Sequence, residues 1–375
     1  MMDRQIINPF HYEAAANFSE EDIIKYYVED HNYSRFVNSE RNVFLVGQRG
    51  SGKSMALLYN SFNVQKAKSD KENKRFDISK LGIYISCKNP LFFKSDYELV
   101  SNSFKISVIS ENFFVLALAS QLCNVLSKLD VQIDSNIEDK LRSSVNYIFN
   151  ISLSQEYPLF ESIKVYIDRL NVQIQHDVNN NEDSFSDKCV SFYSFIMPLL
   201  DVFKQIEKLK RTHFIFLIDD AQDLNIYQIK ALNSWIAYRD HTDFSFKVAI
   251  AKIKNQTYLT ANGSSILEGH DFLKIDMEKP YQNKFSDFGL WSREIIERRL
   301  QIAGIGNVDA SKFFPENESV RKTLDQLEKE TILEAEKKYG KLKNSRKKIN
   351  DYVYKYSRVK YFGNRNSKAN LPLYS

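Results

Sequence analysis

Lys53 and Ser54 close the octapeptide GQRGSGKS, residues 47–54, which follows directly on the apolar run VFLV. The chain has 11 glycines in 375 residues, and three of them, Gly47, Gly50 and Gly52, fall within six positions. Glycine reaches backbone angles closed to other residues and lets a ligand approach the main chain. Gly-x-x-x-x-Gly-Lys-Ser between a strand and a helix is a phosphate-binding pattern, the P-loop. Its backbone N–H groups turn inward around a β-phosphate, and the helix start points partial positive charge at the same anion. Lys53 adds a full charge for the β- and γ-phosphates. Ser54 offers a hydroxyl to Mg²⁺, a hard ion that prefers oxygen. Contacts to a nucleoside triphosphate thus fall on Gly47, Gln48, Arg49, Gly50, Ser51, Gly52, Lys53, Ser54 and Met55. The competing reading is a surface turn that matches by accident.

Such a loop needs a carboxylate for the metal, and FIFLIDD at 214–220 supplies an apolar strand ending in acid. Asp219 at the strand's end is expected to hold Mg²⁺ through water, with Ser54 as the direct ligand. Asp220 is then placed to polarise the attacking water, although Asp must reach as far as the longer Glu more common there. The plainer alternative has both acids capping a core strand. The chain contains no Asn-Lys-x-Asp guanine-reading motif, so ATP is expected rather than GTP.

These side chains need elements to hold them. Short apolar runs at 43–46, 82–87, 214–218, 247–251 and 272–275 suit parallel strands covered on both faces. Helices are expected at 53–67 and 226–239, and a Ser19-x-x-Asp22 start precedes an N-terminal one. Asp219 lies far downstream of Lys53, with another strand between, which favours the ATPase branch with an added central strand. Residues 111–129 and 191–211 read as further helices, separated by a polar loop at 176–188. Residues 288–302 and 319–339 also read as helical, and YVYKYSRVKY at 352–361 as a strand. The expected fold is α/β: a three-layer P-loop NTPase with a central parallel five-stranded sheet, a large helical insertion and a helical C-terminal lid. Its expected divisions are a linker and helix at 1–40, a core at 41–280 with the insertion at about 88–213, and lid plus basic segment at 281–375.

Composition narrows the classes. Hydrophobic content of 43% with 27% charge is that of a folded globular chain. No apolar stretch approaches the roughly 20 residues needed to cross a bilayer, so no membrane partner is expected. The start carries acids and no apolar signal core, which predicts a cytoplasmic protein. Cys87, Cys123 and Cys189 are widely spaced, consistent with reduced thiols rather than a disulfide or zinc framework. Net charge is +4, but residues 337–375 hold 12 Lys or Arg against Asp351 alone, leaving a mildly acidic body.

The order of P-loop, second strand, acidic strand ending DDAQDL, fourth strand and helical lid resembles an AAA+ ATPase over about residues 8–300. The likeness is closest in style to origin-recognition and initiator-type members and to the related STAND signalling ATPases. Bacterial proteins of this kind occur in mobile elements and antiphage defence systems. The resemblance implies that Asn8 and Phe10, in Asn8-Pro9-Phe10, touch the adenine. It implies a γ-phosphate sensor in KIKN at 252–255, an arginine finger at Arg239 acting across a subunit interface, and lid arginines at Arg298 and Arg299. No second sensor arginine or winged helix is recognisable, so the chain is either a fragment or diverged in its C-terminal half.

The basic segment at 337–368 interleaves lysine and arginine with tyrosine, which suits phosphate contacts and base stacking on DNA; a solvated charged helix is the alternative. Two functions follow. One is an ATPase that drives remodelling or assembly on DNA, a protein partner or copies of itself. The other is a slow nucleotide-gated switch or scaffold that assembles with an effector.

Overall fold

Five apolar segments form the strands, and all run parallel. A computed structural model describes residues 10, 14–29, 34–88, 102–129, 131–180, 188–238, 242–252, 257–278, 285–305, 326, 329, 330, 332 and 333. The strands are β1 (Val43–Gly47), β2 (Lys80–Ser86), β3 (His213–Asp219), β4 (Phe244–Ala251) and β5 (Leu273–Asp276), in the spatial order β2-β3-β4-β1-β5. The acidic strand β3 is therefore parted from β1 by β4. Register pairs Gly47 with Ala251 and Ser86 with Asp219, so the carboxyl ends of β1 to β4 share one edge. In an open parallel sheet that edge is where ligands bind.

Alternation along the strands divides the core in two. Val43 and Leu45 of β1, with Ile215, Leu217 and Ala249, face α1 (Glu20–Tyr26) and α3 (Lys53–Tyr59); α2 (Ser34–Val37) adds Val37. Phe44 and Val46, with Phe214, Phe216 and Ile218, face the opposite layer. That layer contains α5 (Ser103–Ser127), α6 (Ser135–Phe149), α7 (Leu159–Asn179), α8 (Met197–Phe203) and α9 (Ile226–Ala237). The period of two is what a sheet buried on both faces requires. Phe192 stacks on Trp235 of α9 with ring centroids 4.8 Å apart and meets Phe244 and Phe246 of β4 at 5.4 and 5.9 Å, which packs the insertion on the sheet. The Ser19–Asp22 capping box starts α1 as the sequence indicates.

Three expected helices differ. Residues 53–67 do not form one helix: α3 stops at Tyr59 and α4 (Phe62–Lys71) starts anew. At the break the Asn60 carbonyl lies 2.1 Å from where a Cβ on Gly82 would sit, so only glycine in β2 admits it. Residues 191–211 break into a π-turn (Phe192–Ile196), α8 and a 3₁₀ turn (Glu207–Leu209), with Pro198 at the junction. Proline has no N–H with which to continue a helical ladder. Helix α5 begins before residue 111, capped by the Asn102 side chain. It is also long and apolar enough to cross a bilayer, which corrects the expectation that no such stretch exists; most of it is buried as the core helix of the insertion. The polar loop at 176–188 is helical as far as Asn179.

After β5 comes α10 (Phe285–Ile302). Met1–Gly304 forms one unit and Ile305–Ser375 another, in which Gln326, Lys329, Glu330, Ile332 and Leu333 are helical. Asn8, Arg239, residues 253–255, the expected strand at 352–361 and the basic segment at 337–368 lie outside the described residues.

Strand β4 also starts three residues earlier than expected, because Lys247 is an interior strand residue. It is fully buried, and its Nζ donates to Ser39 O, Arg41 O and Ser245 Oγ. Burial pushes this ammonium down to about 7, against about 10.4 in an unfolded chain. Between those values the unfolded state binds more protons, so stability rises with pH, by at most ~1.4 kcal/mol per unit. Denaturant titrations from pH 7 to 8.5 should show this slope in the native chain, and Lys247→Met should lose its Lys247 component. Equal slopes in the two would refute the assignment.

Candidate functional site

The loop after β1 has the backbone its glycines allow. Gly50 and Gly52 sit at φ +82° and +86°, in the left-handed region where a side chain is strained. A Cβ on Gly47 would meet Ser51 Oγ at 2.6 Å. Lys53 starts α3 and turns its Nζ back into the loop, donating to Gly47 O and Gln48 O at 2.8 Å each and to Ser51 Oγ at 3.2 Å. Burial lowers the pKa of Lys53, while Asp219, Asp220 and Glu278 oppose that shift.

Asp219 ends β3 almost fully buried. Its Oδ2 accepts from Tyr84 Oη at 2.8 Å and its Oδ1 from the Asp220 N–H at 2.9 Å. The Ser54 side chain is near enough to lower its pKa, so the structure brings loop and acidic strand together. Burial raises the Asp219 pKa, and the charge on Asp220 adds to this. Asp220 takes a left-handed backbone, φ +54°, one of three non-glycine residues with positive φ among those described. Its Oδ1 accepts from Gln222 Nε2 at 3.0 Å, and its Oδ2 pairs with Lys88 Nζ at 3.0 Å.

Sequence reasoning missed Tyr84, Lys88, Gln222 and Glu278. Glu278 accepts from the Gln48 N–H and pairs with Lys252, which also holds Asp276 at 3.2 Å. Lys252, the first residue of the expected sensor, thus ties the end of β4 to the end of β5. Tyr84, Lys88 and Glu278 each lie in a different segment from the partner, and Gln222, two residues from Asp220, has its second partner at the end of β4.

The remaining candidates are placed as follows. Arg49 is exposed, and its charge acts on Asp223. Met55, within α3, is half-buried and packs against the core on that side of the sheet. Phe10 is half-exposed, with the Arg299 guanidinium 5.7 Å from its ring and 5.5 Å from that of Tyr26. Arg298 Nε donates to Lys25 O at 2.6 Å, so both arginines meet the N-terminal segment and α1.

Mg²⁺ carried on a triphosphate keeps waters and phosphate oxygens and needs few protein ligands. The described residues contain no group of three or more His, Cys, Asp or Glu able to hold a metal alone. The Ser54 hydroxyl, near enough to lower the pKa of the buried Asp219 carboxylate, fits that sparse requirement with hard oxygen donors. Removing a partner that orients a ligating carboxylate typically costs 10–100-fold in metal affinity. Tyr84→Phe should therefore raise the Mg²⁺ concentration needed for half-maximal turnover by about tenfold. An unchanged Mg²⁺ titration would dismiss that role for Tyr84.

A family model described as ORC-CDC6-like matches residues 8–375. No curated protein and no solved structure matches the chain.

Proposed function

Since the chain belongs to the ORC-CDC6-like family of AAA+ ATPases, we propose that it binds ATP with Mg²⁺ on residues 47–55 and hydrolyses it. The observation that carries this is the convergence of loop and acid: Lys53 Nζ lies within the glycine loop, and the buried Asp219 carboxylate acts on Lys53 and is influenced by Ser54. Lys53 exchanges its carbonyl partners for β- and γ-phosphate oxygens. Ser54 would hold the magnesium directly and Asp219 would hold it through water, and the ion would neutralise charge building on the phosphates. Asp220 orients the attacking water and takes its proton. Phe10 and Asn8 face the adenine, Arg239 acts across a subunit interface, and residues 252–255 sense the γ-phosphate. The energy is used in remodelling or assembly on DNA or a protein partner, with residues 337–368 as the DNA contact.

A second reading has its own observation. Both Asp220 oxygens are engaged, one by Gln222 and one by Lys88, so the carboxylate as it stands is held by protein partners rather than turned to a water. A slow switch, in which nucleotide governs assembly with an effector, would show this arrangement. Turnover of ATP with and without duplex DNA, measured alongside oligomeric state by light scattering, separates the two. DNA-stimulated turnover supports the motor. Slow turnover with nucleotide retained through purification supports the switch. A folded protein that ignores ATP in calorimetry overturns both.

A further inference from the structure

Gln222 lies in the 3₁₀ turn Ala221–Asp223 that follows Asp220. Its amide is used at both ends. Nε2 donates to Asp220 Oδ1 at 3.0 Å, and Oε1 accepts from the N–H of Ala251 at 2.9 Å. Ala251 is the last residue of β4 and pairs in register with Gly47, the first glycine of the phosphate loop. A neutral primary amide carries both a donor and an acceptor on one planar group. Glutamate at this position would keep the reach and the acceptor but lose the donor. Methionine would keep the volume and lose both.

The other partner of Asp220 is of a different kind. The Lys88 side chain is 60% exposed, so its ion pair with Asp220 is weakly held and screened by solvent. The Gln222 bridge is short, part-buried and fixed to backbone at its far end. We infer that Gln222 is a positioning residue that sets the Asp220 carboxylate relative to the end of β4 and, through β4, to the phosphate loop. This rests on the reading that Asp220 activates the water. Lys88 departs to free one oxygen of Asp220, and Gln222 keeps the other aimed.

The test compares Gln222→Glu and Gln222→Met with the native chain, by calorimetry for Mg²⁺·ATP affinity and by steady-state kinetics for turnover. Affinity and KM should stay within about twofold, and kcat should fall by about tenfold in both variants, the scale of losing one hydrogen bond to a charged group. In an Asp220→Asn background the same changes should have no further effect, because the amide acts only through that carboxylate. Native kcat in Gln222→Met overturns the proposal. An equal fall in the Asp220→Asn background also overturns it, since the role would then be structural. Should Gln222→Met fail to fold, Gln222→Glu, which retains the Ala251 contact, decides. A native protein that binds ATP without turnover defeats the reading of Asp220 itself, and is distinguished because it fails before any variant is compared.

Discussion

Asp220→Asn is expected to leave ATP affinity within about twofold and to lower turnover by about 100-fold or more, the low end of what a positioned acid or base contributes. The structure explains why the two effects separate. Asp220 makes no hydrogen bond to the phosphate loop; its carboxylate meets Gln222 and Lys88 at the carboxyl edge of the sheet. Its backbone N–H, which serves Asp219, is kept in the variant. Asparagine also preserves side-chain size and tolerates a left-handed backbone as well as aspartate does, so the turn at φ +54° survives. Burst and steady-state phosphate release would measure the change. Turnover that persists at the native rate would move the base elsewhere.

Lys53→Ala should reduce Mg²⁺·ATP affinity by about 100-fold or more, since one or two charge-assisted bonds to phosphate are worth about 1.5–3 kcal/mol each. The ammonium is nearly buried and feels three carboxylates, Asp219, Asp220 and Glu278, and among the described residues it donates only to oxygens of its own loop. Its desolvation is already met by folding, so phosphate replaces carbonyl partners rather than bulk water. Calorimetry with circular dichroism as a folding control reads the effect. Intact affinity in a folded variant would remove the phosphate loop from the binding reaction.

The architecture could be read along the chain wherever the signal was local. The glycine cluster, Lys53 and Ser54 are contiguous, and the chemistry of the loop is written in eight residues. The five strands were visible as apolar runs because both faces of a parallel sheet are buried. Lys247 shows where that method failed. A lysine marks a strand end only if its amine needs water, and this one finds Ser39, Arg41 and Ser245 instead. The single helix expected at 53–67 failed for a similar reason, since the break at Asn60 answers to Gly82 in another strand.

By itself the sequence determined the phosphate loop, the acidic strand and the parallel α/β frame, because backbone conformation and burial periodicity depend on near neighbours. Only the tertiary structure decided how the two carboxylates are held. Tyr84 reaches Asp219 across 135 positions, Glu278 meets Gln48 across 230, and Gln222 joins Asp220 to a strand end 29 residues on. Such contacts are set by strand order and register, which no window of neighbouring residues records.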